Sequence, residues 1–149
     1  MCWLCEHHDR TFTDYLTEVE TILADHGWLI QGIDAGPESP AWAYTVGLTR
    51  RHRPELVITG LPYPRAADIL TEAVGLPATA TDPGTRITIA GQLVESVAVA
   101  APVPRLVVAE ALFGHAVDAV QLVYPDRSGS WPWNSGYSGD QPLLGLPMH

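Results

Sequence analysis

A chain of 149 residues with a formal net charge of −9 is sized for one domain and repels polyanions, which argues against nucleic acid and anionic membranes as partners. All eight basic residues are arginine, so neither a Schiff-base lysine nor a P-loop lysine is available. No apolar run reaches the roughly 18 residues of a membrane span. Glu6, His7, His8, Asp9 and Arg10 also interrupt any leader-like apolar stretch. The expectation is a cytoplasmic protein whose thiols stay reduced.

The chain opens "MCWLCEHH", and residues 1–11 form a CxxC segment with two adjacent histidines. Phe12, Tyr15, Leu16, Val19, Ile22 and Leu23 then recur at helical spacing. Thr11 and Asp14 form a capping-box pattern, and Gly27 supplies the stop, so a helix is expected over 12–26. "WLIQGID" (28–34) reads as a strand, and Gly36, Pro37, Ser39 and Pro40 as a turn. "AWAYTVGLT" (41–49) alternates, with Trp42, Tyr44, Val46 and Leu48 on a large face and Ala41, Ala43, Thr45 and Gly47 on a small one. A helix packed on the small face, or a ligand lying there, would use that room.

"RRHRPE" (50–55) reads as a charged connection, followed by a strand over 56–61. The link is short enough for an antiparallel hairpin. Pro62 and Pro64 open a second helix, whose apolar stripe is Ala66, Ile69, Leu70, Ala73 and Val74, with Gly75 and Pro77 ending it. Residues 78–85 are loop, and 86–101 one or two strands bent at Gly91. Residues 105–114 read as a mostly buried helix, with Val107 and Val108 keeping a strand possible. Residues 118–125 read as a strand. The arm 126–149 has no periodicity, yet it carries Trp131, Trp133, Tyr137, Leu143, Leu144 and Leu146. Burial of such side chains is worth roughly 1.5–3 kcal/mol each, so the arm is expected to be ordered and to wrap back over the domain. The order of elements implies a single α+β domain: an antiparallel or mixed sheet, about three helices and an aromatic C-terminal arm.

These landmarks resemble a bacterial family catalogued as domain of unknown function 4262. The resemblance rests on "MCWLC", "HGW" (26–28), "AYTVGLT" (43–49), "PELVITGLP" (54–62), "VQLVYPD" (120–126), "WPW" and "QPLLG". It implies no established activity. The family pattern places a histidine immediately before "PEL", where this chain has Arg53 and His52 stands one earlier.

Four groups of residues carry possible chemistry. Cys2 and Cys5 with His7 or His8 supply thiolate and imidazole ligands at a spacing that can clasp zinc. The same cysteines can instead form a redox pair or pack against the core. Arg50, Arg51, His52 and Arg53 form a basic cluster, in which Arg50 and Arg53 can bind an anion bidentately or stay solvated at a hairpin tip. Glu95 and Glu110 interrupt apolar runs, either as an acid–base pair or as residues on a wetter edge. Trp131, Trp133 and Tyr137, with Asp126, Arg127, Asn134 and Asp140, can build an aromatic ligand wall, facing Tyr44 and Thr45 across a pocket, or a cover for the core. No standard catalytic or nucleotide motif occurs. The reading is a small-ligand or protein-binding, regulatory module, with a zinc- or thiol-dependent enzyme using Cys2 and Cys5 as the alternative. If the metal reading holds, the purified chain carries one zinc ion per chain, and Cys2→Ser loses it and melts at lower temperature. Metal analysis that finds none, with unchanged stability in the double serine variant, removes it.

Overall fold

The computed structural model describes residues 11–37, 39–100 and 106–148. The opening cysteines and the histidines His7 and His8 lie outside the described residues. Helix α1 (Phe12–His26) has the expected bounds: the Asp14 amide donates to Thr11 Oγ1 at 3.2 Å, and the Thr11 amide to Asp14 Oδ2 at 3.0 Å. Gly27 ends it in the left-handed region at φ 83°. Strands β1 (Leu29–Ile33), β2 (Trp42–Val46) and β3 (Glu55–Thr59) form an antiparallel meander. Helix α2 (Tyr63–Val74) follows, then a hairpin of β4 (Arg86–Ile89) and β5 (Gln92–Ala98). Its two-residue turn has positive φ at both Ala90 and Gly91, the pattern of a type I′ turn. Helix α3 (Val107–Phe113) precedes β6 (Ala119–Val123).

The six strands make one mixed sheet in the order β1-β2-β3-β6-β5-β4. Only β3 and β6 pair in parallel; the other pairs are antiparallel. The fold is therefore α+β with three α-helices among the described residues. Cross-strand partners define the two faces. Tyr44, Val57, Gln121 and Val97 are successive partners and share one face. On the β1–β3 half of that face, Tyr15, Val19 and Leu23 of α1 and Val108 and Ala109 of α3 pack with Tyr44, Val46 and Val57. On the β5–β6 half, Trp131 packs on Val97 and Val123, with Trp133 and Leu143 beside it. The opposite face carries α2, whose Ala66, Ile69, Leu70 and Ala73 pack on Ala43, Leu56, Ile58, Val120 and Leu122. The small face of β2 thus holds a helix.

Two local expectations give way. Leu48 does not continue the large face of β2. The strand stops at Val46, Gly47 turns at φ 125°, and Leu48–Arg51 form a 3-10 turn that sends Leu48 into the α2 side of the core. Glu55 is not part of an exposed charged link but a fully buried residue of β3. Its carboxylate gathers the amides of Gly47 (3.2 Å), Leu48 (3.2 Å) and Thr49 (2.9 Å) and the hydroxyls of Thr45 (2.8 Å) and Thr49 (2.6 Å). That chelation explains both departures: a strand continuing through Leu48 would carry those amides away from the carboxylate.

Glu95 also differs from a wet-edge residue. It is buried, and Arg86 Nε and Nη2 donate to its Oε1 at 3.1 and 2.8 Å. The same guanidinium lies 4.3 Å from the Trp131 ring centroid, and Trp131 stacks on Trp133. Glu110 is exposed on α3.

Glu55→Gln replaces one acceptor oxygen by an amide nitrogen facing buried donors. It is expected to lower unfolding stability by roughly 2–3 kcal/mol in urea titration. A loss under about 0.5 kcal/mol, the level of a neutral surface change, would show the buried carboxylate to be dispensable.

Candidate functional site

The parallel pair β3 and β6 ends side by side, but the chain leaves the two strands in opposite directions. From β3 it passes through Gly60 and Leu61 into α2 on one face; from β6 it passes through Tyr124 and Pro125 into the arm that covers the other. In sheets with parallel strands, such a divergence opens a crevice beyond the carboxyl ends of the strands. Here a cleft of about 650 Å³ occupies that place, within the size range of small-molecule sites.

The floor is Gly60, in the left-handed region at φ 84°, where a Cβ would sit 2.6 Å from Tyr124 Oη and 3.9 Å from Asp140 Oδ1. Only glycine leaves the Tyr124 oxygen in place, while the Asp140 oxygen is at ordinary contact distance. Tyr124 Oη donates to the Thr59 carbonyl at 2.6 Å, and burial pushes this phenol's pKa upward. Gln141 holds the arm alongside. Its Nε2 donates to the Tyr124 carbonyl at 2.8 Å, and its Oε1 accepts from the Tyr124 amide at 3.2 Å. Gln121 repeats the device one strand turn earlier: its Nε2 donates to the Pro142 carbonyl at 2.7 Å, and its Oε1 accepts from the Leu144 amide at 2.9 Å. Two side-chain amides thus stand in for a strand's backbone and fix an irregular segment to the sheet.

Asp126 shapes the outer wall. Its Oδ1 accepts from the amides of Ser128 and Ser130, both at 2.9 Å, and its Oδ2 from the Ser138 amide at 3.0 Å and hydroxyl at 3.2 Å. The Ser138 and Ser130 amides hold its carboxyl below the usual carboxylate range. These bonds draw residue 138 back to the end of β6 and bring Tyr137, Ser138 and Gly139 against the cleft. Gln92, from the hairpin, completes the rim.

The sequence-predicted residues fall into separate places. Asp126, Arg127, Tyr137 and Asp140 line the cleft. Trp131 and Trp133 pack instead on Val97 and Val123, and Asn134 caps the Trp131 amide at 2.8 Å. Tyr44 is buried and stacked on Trp42. Its oxygen accepts from the Val108 amide at 3.0 Å, and burial raises its pKa. Thr45 is buried beneath the Glu55 carboxylate. Tyr44 and Thr45 therefore lie on β2, in the half of the sheet away from the two tryptophans. Arg50 reaches Glu20 at 3.4 Å and covers the Phe113 ring. Arg53 turns the other way, donating from Nη1 to the Val74 carbonyl at 3.1 Å, and burial lowers its pKa. A recess of about 250 Å³ lies beside Arg53, His52 and Asp118 at the opposite ends of β3 and β6; it is below the size range of small-molecule sites. Among the described residues, no group of three or more His, Cys, Asp or Glu side chains is placed to hold a metal.

Gly60, Tyr124, Ser138 and Gln92 were not singled out from the sequence. The available signals were a glycine closing the apolar run "LVITGL" and a tyrosine ending "QLVYP", both at strand ends.

Fold and site together define a small α+β domain with a polar cleft at the carboxyl ends of its two parallel strands. The chain belongs to the family described as "Domain of unknown function (DUF4262)", whose profile matches residues 22–138. That span includes Gly60, Tyr124, Tyr137 and Ser138, and leaves Cys2, Cys5, His7 and His8 outside it. No curated protein matches the chain, and no solved structure does.

Proposed function

We propose that the protein is a binding module for a small polar molecule, held in the cleft between the ends of β3 and β6 and the arm. The cleft itself carries this reading: its volume of about 650 Å³ coincides with the divergence point of the parallel pair β3 and β6. The lining supports a polar occupant. Tyrosines, aspartates, an arginine, a serine and a glutamine outnumber the apolar Leu61 and Pro125. The arm is suited to a binding role, because Asp126 and the two glutamines fix it before any ligand arrives. A wall ordered in advance spares the ligand the cost of ordering it. No helix among the described residues is long and apolar enough to cross a membrane, consistent with a module acting in an aqueous compartment.

The test is the molecule the protein carries. Mass spectrometry of material released on denaturing the freshly purified chain is expected to show a small molecule. Gln92→Trp, which places an indole at the cleft rim, is expected to come through purification without it and to melt within about 3 °C of the parent stripped of its ligand, a shift of under 1 kcal/mol for a domain of this size. A parent chain that carries nothing, or a Gln92→Trp chain that carries the same molecule, contradicts the reading.

A further inference from the structure

The hydrogen-bonding capacity left over in the cleft defines the kind of molecule that fits it. Asp126 has four donors on its two oxygens, which fills the lone pairs of a carboxylate. It contributes charge but no free acceptor. Asp140 differs: its carboxylate has no hydrogen bond or ion pair with any described residue, and its Oδ1 lies by Gly60 near Tyr124 Oη. Tyr124 spends its proton on the Thr59 carbonyl, so toward the cleft it offers only lone pairs. The floor is therefore an acceptor site.

The same cleft also offers donors. Tyr137 Oη already accepts from the Gln141 amide at 3.3 Å and from Gln141 Nε2 at 3.4 Å. With its lone pairs engaged, what it has left to give is its proton. Arg127 lines the same cleft and has no ion pair with any described residue. Its guanidinium is a bidentate partner for a carboxylate.

We propose that the cleft binds a small zwitterion, a free α-amino acid or a compound carrying the same ammonium and carboxylate pair. The ammonium donates to the Asp140 carboxylate and Tyr124 Oη, and the carboxylate accepts from Arg127 and the Tyr137 hydroxyl. Simpler ligands fit worse. A bare anion meets Asp126 and Asp140 in a chain of net charge −9, and a bare cation leaves Arg127 unanswered. A neutral polyol fills the hydrogen bonds but leaves Asp140 and Arg127 covered with no counter-charge, which costs affinity. This inference rests on the cleft's being the binding site.

The experiment is a thermal-shift and calorimetric titration of the full chain with each of the twenty common L-amino acids. For each binder, the matching amine lacking the carboxylate and the matching acid lacking the amine are titrated as controls. At least one amino acid is expected to give a saturable shift, and both controls to bind at least tenfold more weakly. Asp140→Asn and Arg127→Gln remove charges from exposed side chains that have no hydrogen bond or ion pair with a described residue, so the ligand-free melting temperature should hold. Each is expected to weaken binding at least tenfold. No saturable shift from any of the twenty, or an amine or acid alone binding as well as the amino acid, overturns the zwitterion. Binding that survives Gln92→Trp overturns the cleft itself, which separates the two failures.

Discussion

Two parallel strands, β3 and β6, lie side by side in the middle of an otherwise antiparallel sheet, and the architecture follows from that pairing. Parallel neighbours need a crossover, and here it spans α2, the β4–β5 hairpin and α3. The crossover delivers α2 to one face, and β6 releases the arm onto the other. At the amino ends of the pair the chain is tied: Glu55 collects the donors of the β2–β3 connection, and its amide donates to the Asp118 carbonyl at 2.9 Å. At the carboxyl ends the ties reach Thr59 alone, from Tyr124 Oη at 2.6 Å and from Gln121 Nε2 at 3.4 Å, among the described residues. One end is closed by buried hydrogen bonds, and the other opens into the cleft.

The arm completes the fold by a different route from the helices. Helices α1 and α3 satisfy their own backbone and bury an apolar stripe over half a sheet face. Residues 126–148 have no helix or strand, so their backbone groups need partners elsewhere. Gln121, Gln141, Asp126 and Asn134 provide many of them, while Trp131 on Val97 and Val123 provides the burial. The Arg86 guanidinium between Glu95 and Trp131 joins these systems, neutralising a buried carboxylate on one side and covering an indole on the other.

Much of this was legible in the sequence where the signal was local. The capping box at Thr11, the stop at Gly27, the proline-opened α2 and the bend at Gly91 each encode their geometry within a few residues, and the α+β class followed from their order. What was not legible depended on partners distant along the chain. A carboxylate between Pro54 and Leu56 reads as exposed, because charged side chains are rarely buried. Its burial depends on three amides presented by a turn that the sequence disguises as strand. The cleft joins Gly60 to Tyr124 and Tyr137, and no local pattern pairs those segments. The tryptophans drew attention as a ligand wall because aromatic rings suit pockets, but the alternation of β5 and β6 leaves Val97 and Val123 needing cover, and that apolar patch holds them.

The claim that function resides at the carboxyl ends of β3 and β6 is tested most directly by where the protein senses small molecules. The isotope-labelled chain, titrated with a protein-free metabolite extract and followed by amide chemical shifts, is expected to respond at Gly60 and Leu61, at Tyr124, Asp126 and Arg127, and from Tyr137 to Asp140. The core around Tyr44 and Val57 should stay unmoved. Shifts centred on the opening cysteines or on the turn from Thr49 to Arg53, with the cleft silent, would contradict the account.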